Sequence, residues 1–492
     1  MVSATPERGL LVASSMLASL LYTVDTTIAN IALPHMQGSL QATQDQIAWV
    51  LTSYIVVSAI ATPLAGFMGA RYGLRRILAV SIAGFTLTSM LCGFATTLDQ
   101  MVVFRSLQGA MGAALVPLSQ VALLNAFPRE LHGRATALWG MGVVIGPIIG
   151  PTLGGYLTEY FGWRWVFFVN IPVGVFALLG ILASIPREHG DRSRSFDGLG
   201  FTLLALSIGL FQLMLDRGHG RDWFDSPEIV AEATLAVVLF YMFVVHSNTT
   251  RNPFFDTRLL RDLNLTISVG MMLFIGIAIL APTVLLPPFL QQLQGYPVLD
   301  AGWLMATRGM SAFAAMALAG RLVGRVDPRL MMSAGLAVMG VAMWLMGGFN
   351  LDTPWQSVAA ANVLLGLGMP PIFVPMSVVA YATLPQSLRA EAGALLTLVR
   401  NLGSSIGVSA AVALLARYTQ MNQSYLVERL SVFDAPRWEP YASVAGDNAG
   451  GLVMREIGRQ AAAIAYANDF HIMALAMFAA IPLALLIRVK AR

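Results

Sequence analysis

Long apolar runs broken by short polar stretches cover most of the 492-residue chain. A bilayer crossing by an α-helix needs roughly 17–25 predominantly apolar residues. Fourteen runs meet this, at about 10–34, 46–66, 77–97, 101–127, 134–157, 164–185, 198–215, 229–247, 264–290, 301–320, 330–349, 355–382, 391–416 and 470–487. Many contain Gly or Pro, which membrane helices tolerate because neighbouring groups satisfy the freed backbone. A transmembrane β-barrel would show segments of about ten alternating residues instead, and these runs are continuous. The pattern predicts an all-α polytopic membrane protein. The first run is longer than a signal peptide's apolar core and reads as a retained helix.

The polar stretches between the runs set the expected orientation. With the N-terminus inside, the cytoplasmic segments hold 19 of the 30 Lys and Arg residues, and the short external loops hold three, Arg164, Arg217 and Arg221. That asymmetry predicts fourteen helices with both termini cytoplasmic. Segment 417–469 is the one sizeable extramembrane piece, expected to form two short amphipathic helices that cap the outer mouth or dock a partner.

The chain also repeats itself. "GFMGARYGLRRIL" (66–78), between the second and third runs, resembles "GRLVGRVDPRLMM" (320–332), between the tenth and eleventh. "RSLQGAMGAA" in the fourth run aligns with "NVLLGLGMPP" in the twelfth, matching Gly109 to Gly366, and "GPIIG" (146–150) is echoed by "GSSIG" (403–407). Two six-helix bundles separated by an inserted helix pair account for this register. The expected units are residues 1–190, the inserted pair 191–262, and residues 263–492 with the long loop. Parallel repeats of this kind are a transporter architecture, with the substrate site near the midplane between the halves.

Composition agrees with this picture, being 57% hydrophobic and only 11% charged, against about 25% charged in soluble domains. Cys92 is the single cysteine, which excludes a disulfide framework and a Cys-based metal site. The sequence contains no HExxH, P-loop or GxSxG motif, so neither enzymatic activity nor ATP-driven transport is expected, and no cofactor.

Against this apolar background four ionisable residues stand out. Asp25 lies mid-run, with Arg8 and Asp45 as its nearest charged neighbours in sequence. An ionised Asp in a helix centre costs roughly 2.5–3.5 kcal/mol on insertion scales. A cationic partner or protonation can offset that, and protonation makes Asp25 a candidate proton carrier. The alternative is a carboxylate capping local backbone or lining a wet vestibule. Arg105 is the natural counter-charge and shares a helix face with Gln108, Gly109, Gly112 and Ala113, although its place near the span's end also suits snorkelling. Arg400 lies deep in the thirteenth run beside Asn401, and Arg308 is shallower in the tenth. Gly146, Gly150 and Gly154 recur every four residues in "GMGVVIGPIIGPTLGGYL" (140–157), a smooth stripe for close packing. Pro147 and Pro151 in the same run favour kinks.

At these residues the chain resembles the major facilitator superfamily, in particular its fourteen-helix drug:proton antiporter branch and EmrB-type efflux permeases. "VDTTIANIALP", "GFMGARYGLRR", "RSLQGAMGAA", the Gly146/Gly150/Pro151/Gly154/Gly155 pattern, "WRWVFFVNIPVG", "LMLDRGHGRDWFDSPEI" and "RAEAGALLTLVRNLGSSIG" carry the resemblance along essentially the whole chain. It implies the major facilitator fold and proton-coupled export of lipophilic or cationic compounds by alternating access in the bacterial inner membrane. Asp25 would exchange protons and Arg105 would tune its affinity for them, with Gln108, Arg308, Arg400 and Asn401 as further coupling or substrate residues. Gly66, Arg71, Gly73 and Arg75 would serve a cytoplasmic gating loop. The resemblance further implies a periplasmic adaptor (EmrA-type) and a TolC-type outer-membrane channel, with 417–469 and the tips of the inserted pair as contacts. One departure stands out: Ala70 occupies the usually acidic position before Arg71, and Leu74 replaces an expected basic residue. A proton-coupled transporter of one metabolite or siderophore, or a non-transporting membrane sensor or scaffold, are the competing readings.

Overall fold

A computed structural model describes residues 6–186, 190–191, 195–256, 259–428 and 449–487. The first half comprises α1 (Pro6–Ser39), α2 (Gln44–Tyr72), α3 (Leu74–Phe94), α4 (Leu98–Gly112), α5 (Leu115–Ala126), α6 (His132–Phe161), α7 (Trp165–Phe168) and α8 (Asn170–Ser184). The inserted pair is α9 (Gly198–Arg217) and α10 (Pro227–Thr249). The second half comprises α11 (Leu263–Pro288), α12 (Val298–Leu322), α13 (Pro328–Met346), α14 (Trp355–Ala382), α15 (Arg389–Glu428) and α16 (Ala449–Leu485).

The breaks follow from side-chain chemistry. Proline lacks an N–H and its ring collides with the carbonyl four residues back. Pro117 accordingly sits four residues after the α4–α5 break at Ala113, so α4 and α5 form one interrupted span. The two parts of α6, His132–Gly150 and Thr152–Phe161, meet at Pro151 with a bend of 44°. Gly73 joins α2 to α3 at φ 93°, a backbone conformation that favours glycine.

Among the described residues, twelve helices are long and apolar enough to cross a membrane, thirteen with the bent α6 taken as one span. α12 is the helix of the expected fourteen that falls short of that apolarity, with Arg308 in its middle and Asp300 and Arg321 near its ends. In segment 417–469, expected to hold two short amphipathic helices, the described residues are instead the ends of two long ones. Residues 417–428 continue α15 and residues 449–469 belong to α16, while 429–448 lie outside the described residues. At 1.5 Å per residue, the 40 residues of α15 span about 60 Å, twice a hydrocarbon core of about 30 Å. Beyond the apolar spans α15 and α16 stay together, Asn422 Nδ2 donating to the Ala461 carbonyl at 3.4 Å.

Packing repeats between the halves. α1 lies along α6 as α11 lies along α15, α2 on α4 as α12 on α14, and α3 on α8 as α13 on α16. The halves meet reciprocally, α2 against α15 and α12 against α6. The matched glycines make equivalent contacts. Gly109 faces the Tyr54 backbone of α2, and Gly366 faces Arg308 and Ser311 of α12. Gly146 and Gly150 face Thr23 and Thr27 of α1, and Gly403 and Gly407 face Leu273 and Ile277 of α11.

The inserted pair is tied to both halves. From α9, Gln212 Nε2 donates to Ser405 Oγ at 2.8 Å and the Leu215 carbonyl accepts from Ser409 Oγ at 2.7 Å, both on α15. Asp216 of α9 accepts a hydrogen bond from Thr52 of α2. At the other end Asp197 caps α9, accepting from Gly200 N at 2.9 Å, from His246 at 2.9 Å and from Phe254 N at 3.1 Å. Burial opposes its charge, but the Gly200 amide, His246 and the Phe254 amide outweigh that and hold its carboxyl below the ordinary carboxylate range. A depressed value means stabilisation present above the unfolded pKa of about 3.9 and lost as pH falls through the folded value. Asp197→Ala is expected to lower stability by roughly 1–2 kcal/mol. Thermal unfolding midpoints of the two proteins should differ at pH 7 and converge as the medium is acidified.

Candidate functional site

α1 carries four hydroxyls, on Ser14, Ser19, Thr23 and Thr27, that hydrogen-bond back to carbonyls three or four residues earlier. Such back-bonding satisfies polar groups within an apolar helix. Asp25, by contrast, cannot satisfy a carboxylate within its own helix and turns to its neighbours. It is 0% exposed.

Its oxygens are fully engaged. Oδ2 accepts from Arg105 Nη1 of α4 at 2.6 Å. Oδ1 accepts from Gln108 Nε2 of α4 at 2.8 Å and from Asn170 Nδ2 of α8 at 3.0 Å. Arg105 also donates to Gln108 Oε1 at 2.7 Å and, through Nε, to the Val50 carbonyl of α2 at 3.1 Å. Its guanidinium lies 4.2 Å from the centroid of the Tyr54 ring and 5.7 Å from that of Phe167. Asn170 is oriented in turn by Ser89 Oγ of α3 at 3.0 Å. Cys92 Sγ completes the shell at 3.6 Å from Gln108 Oε1.

Arg105, Gln108 and Asn170 are buried with Asp25. Removing two charges from water costs several kcal/mol per ion, and only good geometry with further hydrogen bonds repays it. Here the carboxylate has three donors and the guanidinium has a carboxylate, an amide oxygen, a carbonyl and two ring faces. Among the described residues, Arg105 Nη2 and the Tyr54 hydroxyl remain buried without a hydrogen bond. As arranged, the site holds a fully buried ion pair with further hydrogen bonds to both partners.

The expected residues separate into three places. Asp25, Arg105 and Gln108 come together, and Arg105 does not snorkel. Arg308, Arg400 and Asn401 lie in the other half beside α11. Arg308 Nη1 donates to Thr283 Oγ1 at 2.7 Å, and Arg400 Nη2 lies 3.5 Å from Asn401 Oδ1. The α6 stripe packs on α1 around Asp25, with Gly146 on Thr23, Gly150 on Thr27 and Gly154 on Ile28. Gly155 has open space instead, and Pro151 marks the bend.

The α2–α3 loop sits where the halves meet. A Cβ on Gly66 would collide with Ala394 and crowd Glu391 of α15. Ala70, lacking a carboxylate, offers its carbonyl to Asp191 N at 3.0 Å, and Gly190 lies against the Arg71 carbonyl. Arg71 sits over the Tyr72 ring, and Arg75 Nη2 donates to the Leu182 carbonyl at 2.6 Å. At the same end Trp139 stacks on Phe373 across the halves at 6.1 Å, and Arg389 Nη1 donates to Asn125 Oδ1 at 3.0 Å.

Sequence reasoning missed Asn170, Tyr54 and Ser89. Asn170 had a signal, an amide within the apolar "FFVNIPVG". It missed Asp469 too, which is 1% exposed with neither carboxylate oxygen hydrogen-bonded; the residue was counted into the supposed loop. The tight α4–α2 contact gives a direct test of packing around the site. Gly109→Ala drives a methyl into the Tyr54 carbonyl, a backbone atom that cannot rotate away, and is expected to cost about 1–3 kcal/mol. Gly155→Ala should stay within about 0.5 kcal/mol of the parent. Thermal unfolding in detergent compares the two.

Comparisons with known proteins find relatives along most of the chain. The family model described as Major Facilitator Superfamily matches residues 15–408. The multidrug export protein EmrB of Escherichia coli K12 is 32% identical over 474 residues, covering 94% of this chain and 91% of its own. The fatty acid resistance protein FarB of Neisseria gonorrhoeae is 33% identical over 435 residues, covering 87% and 85%. Among solved structures, the human organic anion transporter MFSD10 (TETRAN) shares the fold, with a TM-score of 0.61 at 14% identity, over 96% of this chain and 100% of its own.

Proposed function

Because the chain belongs to the Major Facilitator Superfamily, among the EmrB-type multidrug export proteins, we propose that it exports lipophilic drug-like compounds in exchange for protons by alternating access. It works as a multi-pass protein of the bacterial inner membrane, with fourteen crossings and both termini on the cytoplasmic side. The observation that carries the reading is the fully buried Asp25–Arg105–Gln108–Asn170 network, a carboxylate near the middle of α1 held by a guanidinium and two amides.

Protonation of Asp25 cancels the charge that holds Arg105. The guanidinium, already seated over Tyr54 and bonded to the Val50 carbonyl, then shifts toward α2. α2 runs as one helix to the contact of Gly66 with α15, so a displacement at Val50 and Tyr54 reaches the interface between the halves. The small face of α6 against α1 lets the two helices slide. Deprotonation restores the ion pair and resets the cycle. An adaptor protein and an outer-membrane channel complete the route, and the α15–α16 extension, reaching well beyond the membrane, is the surface available to the adaptor.

The test is transport by purified protein in vesicles with an imposed pH gradient, using a panel of dyes and drugs. Movement of at least one compound against its own gradient, abolished when the pH gradient is collapsed, supports the reading. Movement that follows only the compound's own gradient, or none for the whole panel in the presence of adaptor, contradicts it.

A further inference from the structure

Proton coupling at Asp25 leaves a second buried carboxylate unexplained. Asp469 of α16 is 1% exposed, and neither of its oxygens forms a hydrogen bond. Asp25 is as deeply buried but has three donors. Asp469 lies about 24 Å along α16 from the helix end at Leu485, toward the side of the bundle opposite the C-terminus. Tyr466 and Met473, one turn away on either side, share its buried face. The surroundings are aromatic: the Tyr466 ring meets Phe289 at 5.4 Å, and Phe289 stacks on Phe349 at 6.2 Å. The elements packed on α16 supply no counter-charge. α11 contains no titratable side chain, and α13 has Arg329 alone, bonded to the Ile487 carbonyl at the opposite end. On α15 the pairing of Asn422 with Ala461 puts Arg417 and Tyr418 nearest in register, and Asp469 bonds to neither. His471 turns to the Trp344 ring of α13 at 4.8 Å. Tyr466 is the titratable group whose field reaches Asp469.

Phe289 opens a π-helical turn, Phe289–Leu293, directly after Pro287 and Pro288, and α16 packs on this turn. Prolines lack the N–H that a regular ladder needs, and π turns inside helices are rare and frequently found at functional sites. Gln294 closes the turn, donating its N–H to the Phe289 carbonyl at 3.2 Å, and its Oε1 is buried without a hydrogen bond. A carboxylate sealed from water with neither donor nor cation is far costlier than the neutral acid. Resting on the exporter reading above, we infer that Asp469 is a second proton-binding site, filled in this conformation and emptied when the π turn swings off Tyr466. Each cycle then carries two protons inward, one on each half. Exchange of these for one lipophilic monocation moves one net positive charge inward, so an inside-negative potential drives it. With Asp25 alone the same exchange is electroneutral.

The proton itself is read from the carboxylic-acid stretching band in the infrared spectrum of the full-length protein in phosphatidylcholine nanodiscs. At neutral pH the band is expected in the parent and in Asp25→Asn, and is expected to be weaker by one acid in Asp469→Asn and Asp469→Leu. The Leu variant removes a buried polar group, so its unfolding midpoint should be no lower than the parent's, and it serves where the Asn variant fails to fold. Turnover is read in right-side-out vesicles loaded with a lipophilic quaternary ammonium dye. The parent is expected to take in two protons per dye exported and to export faster under an inside-negative potential. The Asp469 variants are expected to take in one proton per dye, with no response to the potential. A band of parental intensity in both variants overturns the assignment. So does a variant that keeps the parent's proton count and potential response, or a folded variant that no longer exports, since the acid would then be indispensable instead of an additional carrier. Proton-driven export with the band unchanged removes the second site and leaves the exporter standing. Loss of the band in the variants, with no proton-driven movement of any compound by the parent, removes the exporter and leaves the proton site.

Discussion

Asp25→Asn is expected to leave export undetectable, at least a hundredfold below the parent, under an imposed pH gradient. An asparagine keeps the size of the side chain but cannot alternate between charged and neutral. It also turns an amide toward either Arg105 or the Gln108–Asn170 pair, so one donor meets another donor in place of an acceptor. Arg105 is then a buried guanidinium without its carboxylate, and stability falls as well as transport. The measurement is initial export rate per folded protein, with folding scored by a monodisperse elution profile and substrate binding measured separately. Lost export with binding retained assigns the proton to Asp25. Export retained in Asp25→Asn places the proton elsewhere.

The second large effect separates stability from coupling. Arg105→Gln leaves an ionised Asp25 at 0% exposure with only the neutral donors Gln108 and Asn170. Breaking one side of a buried pair typically costs about 3–5 kcal/mol because the remaining charge is uncompensated. The double variant Asp25→Asn, Arg105→Gln carries no buried charge at this point, and its side-chain amides can hydrogen-bond to one another. Its loss of stability is expected to be smaller than either single loss, a non-additivity of several kcal/mol between residues in direct contact. Unfolding midpoints of the four proteins in detergent close the cycle. The double variant should be well folded and inactive, which removes misfolding as the reason for lost export. Additive losses would mean that the two residues do not act as a pair.

Much of this site could be read from the chain. A single carboxylate in an apolar run and an arginine with Gln108 one turn on are visible as exceptions to the surrounding pattern, and their meeting follows from the cost of leaving either alone. Asn170 was harder. It contributes one amide, carries no charge and has no spacing relation to Asp25, so only the packing of α8 on α1 and α3 brings it within 3.0 Å. The duplication was legible because glycines that face a backbone tolerate no side chain, and Gly109 and Gly366 keep equivalent contacts in the two halves.

The helix ends beyond the membrane were not legible in the same way. Hydropathy marks where lipid stops, not where a helix stops. "TQMNQSYLVE" contains neither Gly nor Pro, so α15 continues to Glu428 after its apolar run ends. α12 shows the converse, being a regular helix whose apolar signal is weakened by Arg308. The interruption at Ala113 was written in Pro117, four residues later, but the run reads as continuous when only apolarity is followed.

The most direct test of proton exchange at Asp25 uses vesicles with an internal pH dye and no preset gradient. A lipophilic dye without a titratable group is added outside, so that its own inward gradient drives the transporter backwards. Exchange at Asp25 predicts that the lumen becomes alkaline as protons leave against the entering dye, and that Asp25→Asn abolishes the change while still binding the dye. A lumen that turns acidic, or one that turns alkaline to the same extent in Asp25→Asn, would contradict it.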